Sequence, residues 1–328
     1  MNAQYLARGG VIALAWLTVV NVGATLAIAF VARRGVRMVP GTVRRWRGPA
    51  SPSIWLALRL LPSAASLLFV AVLVMPSYWR YEPRNPAEAV DVTLAGLAVA
   101  SIATVAAGVA RGIASWRRAS RRLRAWVRSA RPLALAGTSI AAYEIPIDTP
   151  MMALAGVLQP RLLVTRGVVD ALTAEELRAS VAHEVGHWRA GDNLKRLAMR
   201  AAPDLLFATR AASALESRWA AAAEHAADRR ACADSDTRCA LASALVKVAK
   251  LTPPATPLAE PISTLFDGGD VASRVRRLLD DPEPFVPAPS RWRAWLAAAA
   301  TIAALVVLYT PLLRIVHGAT EILVNTLP

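Results

Sequence analysis

Over most of its length the chain does not alternate apolar and polar residues. It gathers apolar residues into long blocks. Segments at about 9–32, 53–75, 90–110 and 295–315 are almost unbroken runs of such residues, and a helix that crosses a bilayer needs about 20 of them. The first run contains Asn21 as its one strongly polar residue, lacks a basic leader and is too long for a signal-peptide core, so it reads as a retained helix. The second carries Arg59 near one end, where a long side chain can reach the interface. The fourth has Pro311 and Arg314 near its end. Any one of these blocks alone could be a buried soluble helix. Together, each flanked by polar breaks, they predict a polytopic α-helical membrane protein with four transmembrane helices.

The arginines orient these helices. Arg33, Arg34, Arg37, Arg44, Arg45 and Arg47 follow the first block with no acid among them. The short loop after the second block balances Arg80 and Arg84 with Glu82 and Glu88. After the third come Arg111, Arg117, Arg118, Arg121, Arg122, Arg124, Arg128 and Arg131. Basic loops stay in the cytoplasm, so the N-terminus is expected outside, and the multi-pass chain in a cell (inner) membrane. Residues 112–292 are then cytoplasmic, and they form the one stretch long enough for a soluble domain. The expected division is 1–111 for three spans and their basic loop, 112–292 for the domain, and 293–328 for the last span with a short outer tail.

Composition fits this division. The 328 residues are 55% hydrophobic and 6% aromatic, yet carry a formal charge of +15, with a mean hydropathy of +0.38. Such apolarity excludes a disordered or nucleic-acid-coating basic protein. The charge excludes a bundle buried wholly in lipid. In the basic stretch 111–131, Ile113, Trp116, Leu123, Trp126 and Val127 share a helical face. The stretch reads as an amphipathic helix on an anionic leaflet, with a plain solvated or packed helix as the alternative. No recognised nucleic-acid motif accompanies the arginines, so direct nucleic-acid binding is not expected. Cys232 and Cys239 are too few for a disulfide framework and read as free thiols in a reducing compartment.

The chemistry lies in residues 172–191. Thr173 and Glu176 form a capping box, with Leu172 and Leu177 as its hydrophobic staple. The helix they start should run through His187 and stop near Gly191. His183 and His187 then sit one turn apart on one face, the spacing with which two imidazoles hold one zinc ion. Glu184 is placed to act as the base that takes a proton from water there. A catalytic zinc usually takes three protein ligands. His317 lies beyond the fourth span, on the other side of the membrane. Glu224 and His225 lie in an alanine-rich helical segment with Asp228 one turn on. Glu224 is expected as the third ligand, with His225 the less favoured choice, because Asp228 on the same face can orient a ligand histidine. Asp192 either bonds a ligand histidine or caps the next helix. Cys232 reads as a small core residue. Upstream, 152–158 and 161–165 read as two short strands, either a plain hairpin under the helix or an edge that holds a peptide by strand addition. The fold class expected is therefore a membrane bundle with a cytoplasmic α+β zincin-like domain.

The runs 155–177, His183-Glu184-Val185-Gly186-His187 and Gly191-Asp192-Asn193 resemble the BlaR/MecR-type membrane metallopeptidases, which are gluzincins, over about 135–280. The order of three spans, a protease domain and a fourth span is also similar. The resemblance implies one zinc ion on His183, His187 and Glu224, Glu184 as catalytic base, and Asp228 as the supporting acid. It further implies cleavage of a cytoplasmic protein such as a winged-helix repressor. The chain departs from that group after the fourth span, where the large β-lactam sensor is expected to be lacking. The chain also resembles, more distantly, the HtpX/Ste-type membrane peptidases. There Ser273 to Leu278 is similar to a segment whose arginine lies near the active site, which makes Arg274 a candidate active-site cation; the alternative is a basic turn after Asp270. The expected activity is zinc-dependent endopeptidase cleavage of a protein or peptide. A non-catalytic metal-binding sensor or scaffold is the reading from another class. A membrane-tethered DNA binder is a third.

Overall fold

The computed structural model describes residues 3–37, 51–83, 91–135, 138–232, 234–251, 271–280 and 291–325. Arg44, Arg45, Arg47, Arg84, Glu88 and Asp270 lie outside these. Helix α1 spans Ala3–Arg37 and α2 spans Pro52–Phe69; a π-helical stretch, Val70–Val74, leads on into α3, Met75–Tyr81. Helix α4 runs unbroken over Val92–Ser129. Four strands follow: β1 Arg131–Leu133, β2 Ala142–Ile145, β3 Met152–Ala155 and β4 Arg161–Thr165. Then come α5 Arg166–Ala171, α6 Ala174–Ala190, α7 Asp192–Ala201, α8 Arg210–Ala231, α9 Ser235–Leu251, α10 Val271–Leu279 and α11 Arg291–Asn325.

Among the described residues, four helices are long and apolar enough to cross a membrane: Ala3–Ala32, Pro52–Tyr81, Val92–Ser129 and Val307–Val324. The expected fourth span, 295–315, lies wholly within helix α11. Helix α11 continues to Asn325, so the residues read as a short outer tail are helical. Leu313, Val316 and Thr320 are buried along it, and Trp16 donates to the Thr320 hydroxyl at 3.0 Å. Packing against α1 extends the helix past the point where the apolar run alone would end it.

The sheet has the order β1-β2-β4-β3, with β2 and β4 parallel and the other pairs antiparallel. It is short but covered on both faces, and the period-two alternation of its strands assigns each side chain to a face. Ala142, Met152, Leu154, Leu162 and Val164 meet Val181 and Val185 of α6. Ile145, Ala155 and Leu163 meet Leu123, Trp126 and Val127 of α4. Of the two readings of 111–131, a helix on an anionic leaflet or a packed helix, the far end of the stretch takes the second. The stretch is the second half of α4, continuous with the third span, and its far end covers the sheet. A sheet buried on both faces needs a second covering layer, and α4 supplies it. Ile113 and Trp116, nearer the span, stay exposed. The third apolar block and the predicted domain are thus joined by one rigid rod. The β3–β4 connection turns at Gly156, whose φ of 100° favours glycine, so the strand predicted over 152–158 ends at Ala155.

The apolar helices α1, α2 and α4 grip the connection between α7 and α8. Gly108 and Gly112 of α4 lie one turn apart against Ala201; a Cβ on either would stand 2.7 Å from it. Asn21 of α1 donates to the Pro203 carbonyl at 3.0 Å and accepts from the Leu205 N–H at 3.3 Å. Arg59 of α2 is not extended to an interface, as its position in the apolar run suggested. It is 1% exposed and donates to Asp204 Oδ2 at 3.1 Å, to Glu216 Oε1 at 3.0 Å and to the Met199 carbonyl at 2.9 Å. Ser63 adds a hydrogen bond to Asp204 at 2.6 Å. An ionised side chain inside an apolar bundle is retained when paired and fully hydrogen-bonded, and the end of α7, the 202–209 connection and the start of α8 supply the partners.

Candidate metal centre

Helix α6 begins with the capping box: Thr173 N–H donates to Glu176 Oε2 at 2.8 Å, and Glu176 N–H to the Thr173 hydroxyl at 3.3 Å. It ends at Gly191, whose φ of 68° is the left-handed C-cap conformation. Between these stops His183, Glu184 and His187 are buried. Helix α8 packs beside α6 with Gly186 facing Ala227, where an added Cβ would stand 3.4 Å from the Ala227 backbone, and brings Glu224 to the two imidazoles. The three side chains offer donor atoms all within 4.8 Å of one another. His183 Nε2 is 3.1 Å from His187 Nε2. Each Nε2 is 3.4 Å from an oxygen of Glu224. His225, one residue on, is not in this group. His317 falls in a separate one with Glu82 and Glu321, where Glu82 is paired with Arg8 at 3.4 Å.

The opposite nitrogen of each ring is held by an acid. Asp192 Oδ2 lies 2.8 Å from His187 Nδ1, and Asp228 Oδ1 lies 2.9 Å from His183 Nδ1. Of the two roles open to it, Asp192 takes the first: it bonds the histidine, while the N-cap of α7 is Gly191 and no side chain caps that helix. Asp192 thus hydrogen-bonds His187 Nδ1, the Asp228 carboxylate stands against His183 Nδ1, and the two Nε2 atoms face each other and the Glu224 carboxylate. Such a set of convergent acceptors fits a divalent cation. Its titration expresses the same demand for positive charge. Burial alone would lower the pKa of His187, but Asp192 and Glu224 overcome it and raise the value to about 10. For His183, burial also opposes the charged form, and Asp228 with Glu224 raises its pKa. Burial would raise Glu224; the two imidazoles instead hold it well below the usual carboxylate range.

Arg274 lies in α10 and is 8% exposed, so it is neither in a turn nor at the surface. It donates to Asp228 at 3.0 and 2.6 Å and contacts Glu224 Oε2 at 2.9 Å. One guanidinium therefore ties the proposed third ligand to the acid behind His183. Cys232 packs with Ala179, Ala231 and Leu241 as a core residue, and burial followed by Asp228 pushes its thiol up to about 11.

Two contacts had no sequence signal. The Leu154 N–H on β3 donates to Glu184 Oε2 at 3.0 Å. Asn193 donates to the carbonyls of Leu154 and Gly156 at 3.1 and 2.8 Å. Asn193 follows Asp192 in the sequence, and an Asx residue at a helix start is ordinarily read as a cap. Here it staples the edge strand to the donor cluster, across a separation no local pattern reports.

Residues 117–264 match Peptidase family M48. The match covers just under half of the chain, from the second half of α4 to beyond α9, and includes His183, Glu184, His187, Glu224 and Asp228. It supports a metallopeptidase of that family, whose members are typically zinc-dependent, and does not single out the BlaR/MecR group. No curated protein matches the chain. Arg274 lies beyond the matched stretch.

Replacing Asp228 with Asn is expected to weaken zinc binding about 10–100-fold, because the histidine behind it loses its anchor. Competition against a chromogenic chelator measures this. Unchanged affinity would show that Asp228 serves Arg274 alone.

Proposed function

We propose that this chain is a membrane-bound zinc endopeptidase that cleaves a cytoplasmic or membrane-proximal protein. The observation that carries the reading is the convergence of His183, His187 and Glu224, with each imidazole backed by its own carboxylate and Glu184 beside them. His183, His187 and Glu224 would hold one zinc ion. When bound, zinc supplies a Lewis acid that polarises the scissile carbonyl. Glu184 takes the proton of the attacking water and returns it to the leaving amine. The Leu154 N–H holds one oxygen of Glu184 and so orients the carboxylate. Asp192 and Asp228 fix the two imidazoles, and Arg274 balances the negative charge gathered by Glu224 and Asp228. An extended substrate would add along β3, the edge strand, on the Met152 side, since Leu154 is already engaged.

The arginine distribution supports a multi-pass chain in a cell (inner) membrane, with the N-terminus outside and the peptidase domain cytoplasmic. The three-plus-one order of spans supports a BlaR/MecR-like role, with a winged-helix repressor as substrate. A second reading, membrane protein quality control or processing of the HtpX/Ste type, is favoured by Arg274, whose place beside Glu224 and Asp228 is what that resemblance implies.

The test is the purified full chain in detergent, assayed for zinc content and for casein cleavage with and without a chelator. One zinc per chain, with cleavage lost on chelation and regained on adding zinc, is expected. Stoichiometric zinc without cleavage of casein or of any repressor would favour a metal-stabilised sensor or scaffold. Trapping substrates on a cleavage-dead variant in cells separates the two substrate classes: one repressor, or many membrane proteins.

A further inference from the structure

A cavity of about 440 Å³ lies where α2, α4 and the start of α8 meet, away from the donor cluster. Arg59, Arg111, Arg200 and Arg210 line it, with Glu216 on its wall and Phe207 at its side. Arg59 is fully engaged by Asp204, Glu216 and a backbone carbonyl. Arg200 lies 3.5 Å from Glu216. The other two guanidinium charges have no carboxylate partner among the described residues. Arg111 donates to the carbonyls of Arg200 and Ala202 and stacks over the Phe207 ring at 3.7 Å, all neutral groups. Arg210 is exposed and begins α8, whose first turn has no acidic residue and whose N-cap Thr209 turns its hydroxyl to the Leu206 carbonyl and not to the helix N–H groups. The cavity therefore presents net positive charge and aligned backbone N–H groups together.

Its depth is set by the spans. Arg111 is the first charged residue after the apolar run 92–110 of α4, and the arginines that follow mark the same end of the bundle. Exposed Phe207 lines the cavity, and exposed Leu205 precedes it by two residues in the chain, an apolar element beside a basic floor. A free anion has no use for that element; an acyl chain does. We propose that this cavity binds the phosphate of an anionic phospholipid headgroup, with the acyl chains along Leu205 and Phe207. The inference rests on the helices crossing a bilayer and not on the peptidase reading. The wall is the end of α7, the 202–209 connection and the start of α8, the stretch that joins Asp192 to Glu224, so the lipid would hold the membrane bundle and the donor cluster in one arrangement.

The experiment uses the full chain in neutral detergent, titrated with phosphatidylglycerol, with phosphatidylcholine, and separately with inorganic phosphate. Bound lipid is counted by native mass spectrometry. One saturable phosphatidylglycerol per chain is expected, with phosphatidylcholine at least about tenfold weaker. Arg200→Ala with Arg210→Ala should reduce phosphatidylglycerol affinity by about tenfold or more, as loss of two surface arginine contacts implies. Arg210→Ala alone, at an exposed position, keeps the test valid should the double variant unfold, and should show a smaller loss in the same direction. Arg121→Ala with Arg124→Ala, on the exposed part of α4 beyond the cavity, should leave the saturable site unchanged. Equal affinity for the two lipids, no effect of the cavity variants, or an equal effect of the α4 control would overturn the proposal. Full displacement of phosphatidylglycerol by inorganic phosphate at comparable concentration would overturn the lipid assignment in favour of a free phosphate.

Discussion

Exchanging Glu184 for Gln is expected to lower peptide cleavage by about 10²–10⁴-fold, the range lost when a positioned general base is removed, while zinc stays bound. The side chain is 0% exposed and lies between the donor cluster and β3. Glutamine keeps its shape, and its carbonyl oxygen can still accept the Leu154 N–H, so the local fold should hold. What it cannot do is accept a proton at neutral pH. Glu184 is also not one of the three convergent donors, so zinc content by atomic absorption should match the wild type. A wild-type cleavage rate in this variant would show that another group acts as the base. Loss of zinc together with activity would show that Glu184 helps hold the metal.

The largest expected effect on stability comes from a residue far from that chemistry. Arg59→Met leaves Asp204, 0% exposed, as an uncompensated buried carboxylate. Breaking a buried pair in this way costs about 3–5 kcal/mol. Ser63 alone cannot offset that charge, although it donates to the same carboxylate. Replacing both partners, Arg59→Met with Asp204→Leu, should recover most of the loss, since no charge then remains buried. Thermal unfolding of the full chain in detergent reads both. A loss below about 1 kcal/mol for the single variant would place Arg59 and Asp204 among the weak, solvent-screened pairs and refute the role given to them. The single variant should also weaken zinc binding, because the connection it frees runs directly into the helix that carries Glu224.

Much of the site could be read from short spacings. The interval between His183 and His187 is one helical turn, and the capping box at Thr173 and the stop at Gly191 fix where that helix begins and ends. Glu224 and Asp228 share a face of α8 for the same reason. Each of these is a local rule, obeyed whatever the rest of the chain does. Arg274 stood in the sequence only through a distant likeness; its burial against Asp228 needs α10 to pack on α9 so that its side chain reaches α8, over 46 residues of separation. Asn193 carried no role at all, because its partners lie on β3, 37 and 39 residues earlier. The basic stretch 111–131 stays ambiguous in the sequence for a related reason. Its apolar face is equally suited to lipid and to protein, and periodicity reports the face without naming what covers it.

By itself, the sequence determined the four apolar blocks, the helix that presents His183 and His187, and the two acids one turn apart on α8, because backbone periodicity and helix-end chemistry act within a few residues. The tertiary structure alone decided that the far half of α4 covers the sheet, that Arg59 is neutralised by Asp204 across 145 residues, and that β3 is stapled to the cluster through Leu154 and Asn193. Those contacts join groups distant in the chain, and which partner a buried charge or an apolar face takes depends on how the helices and the sheet pack against one another.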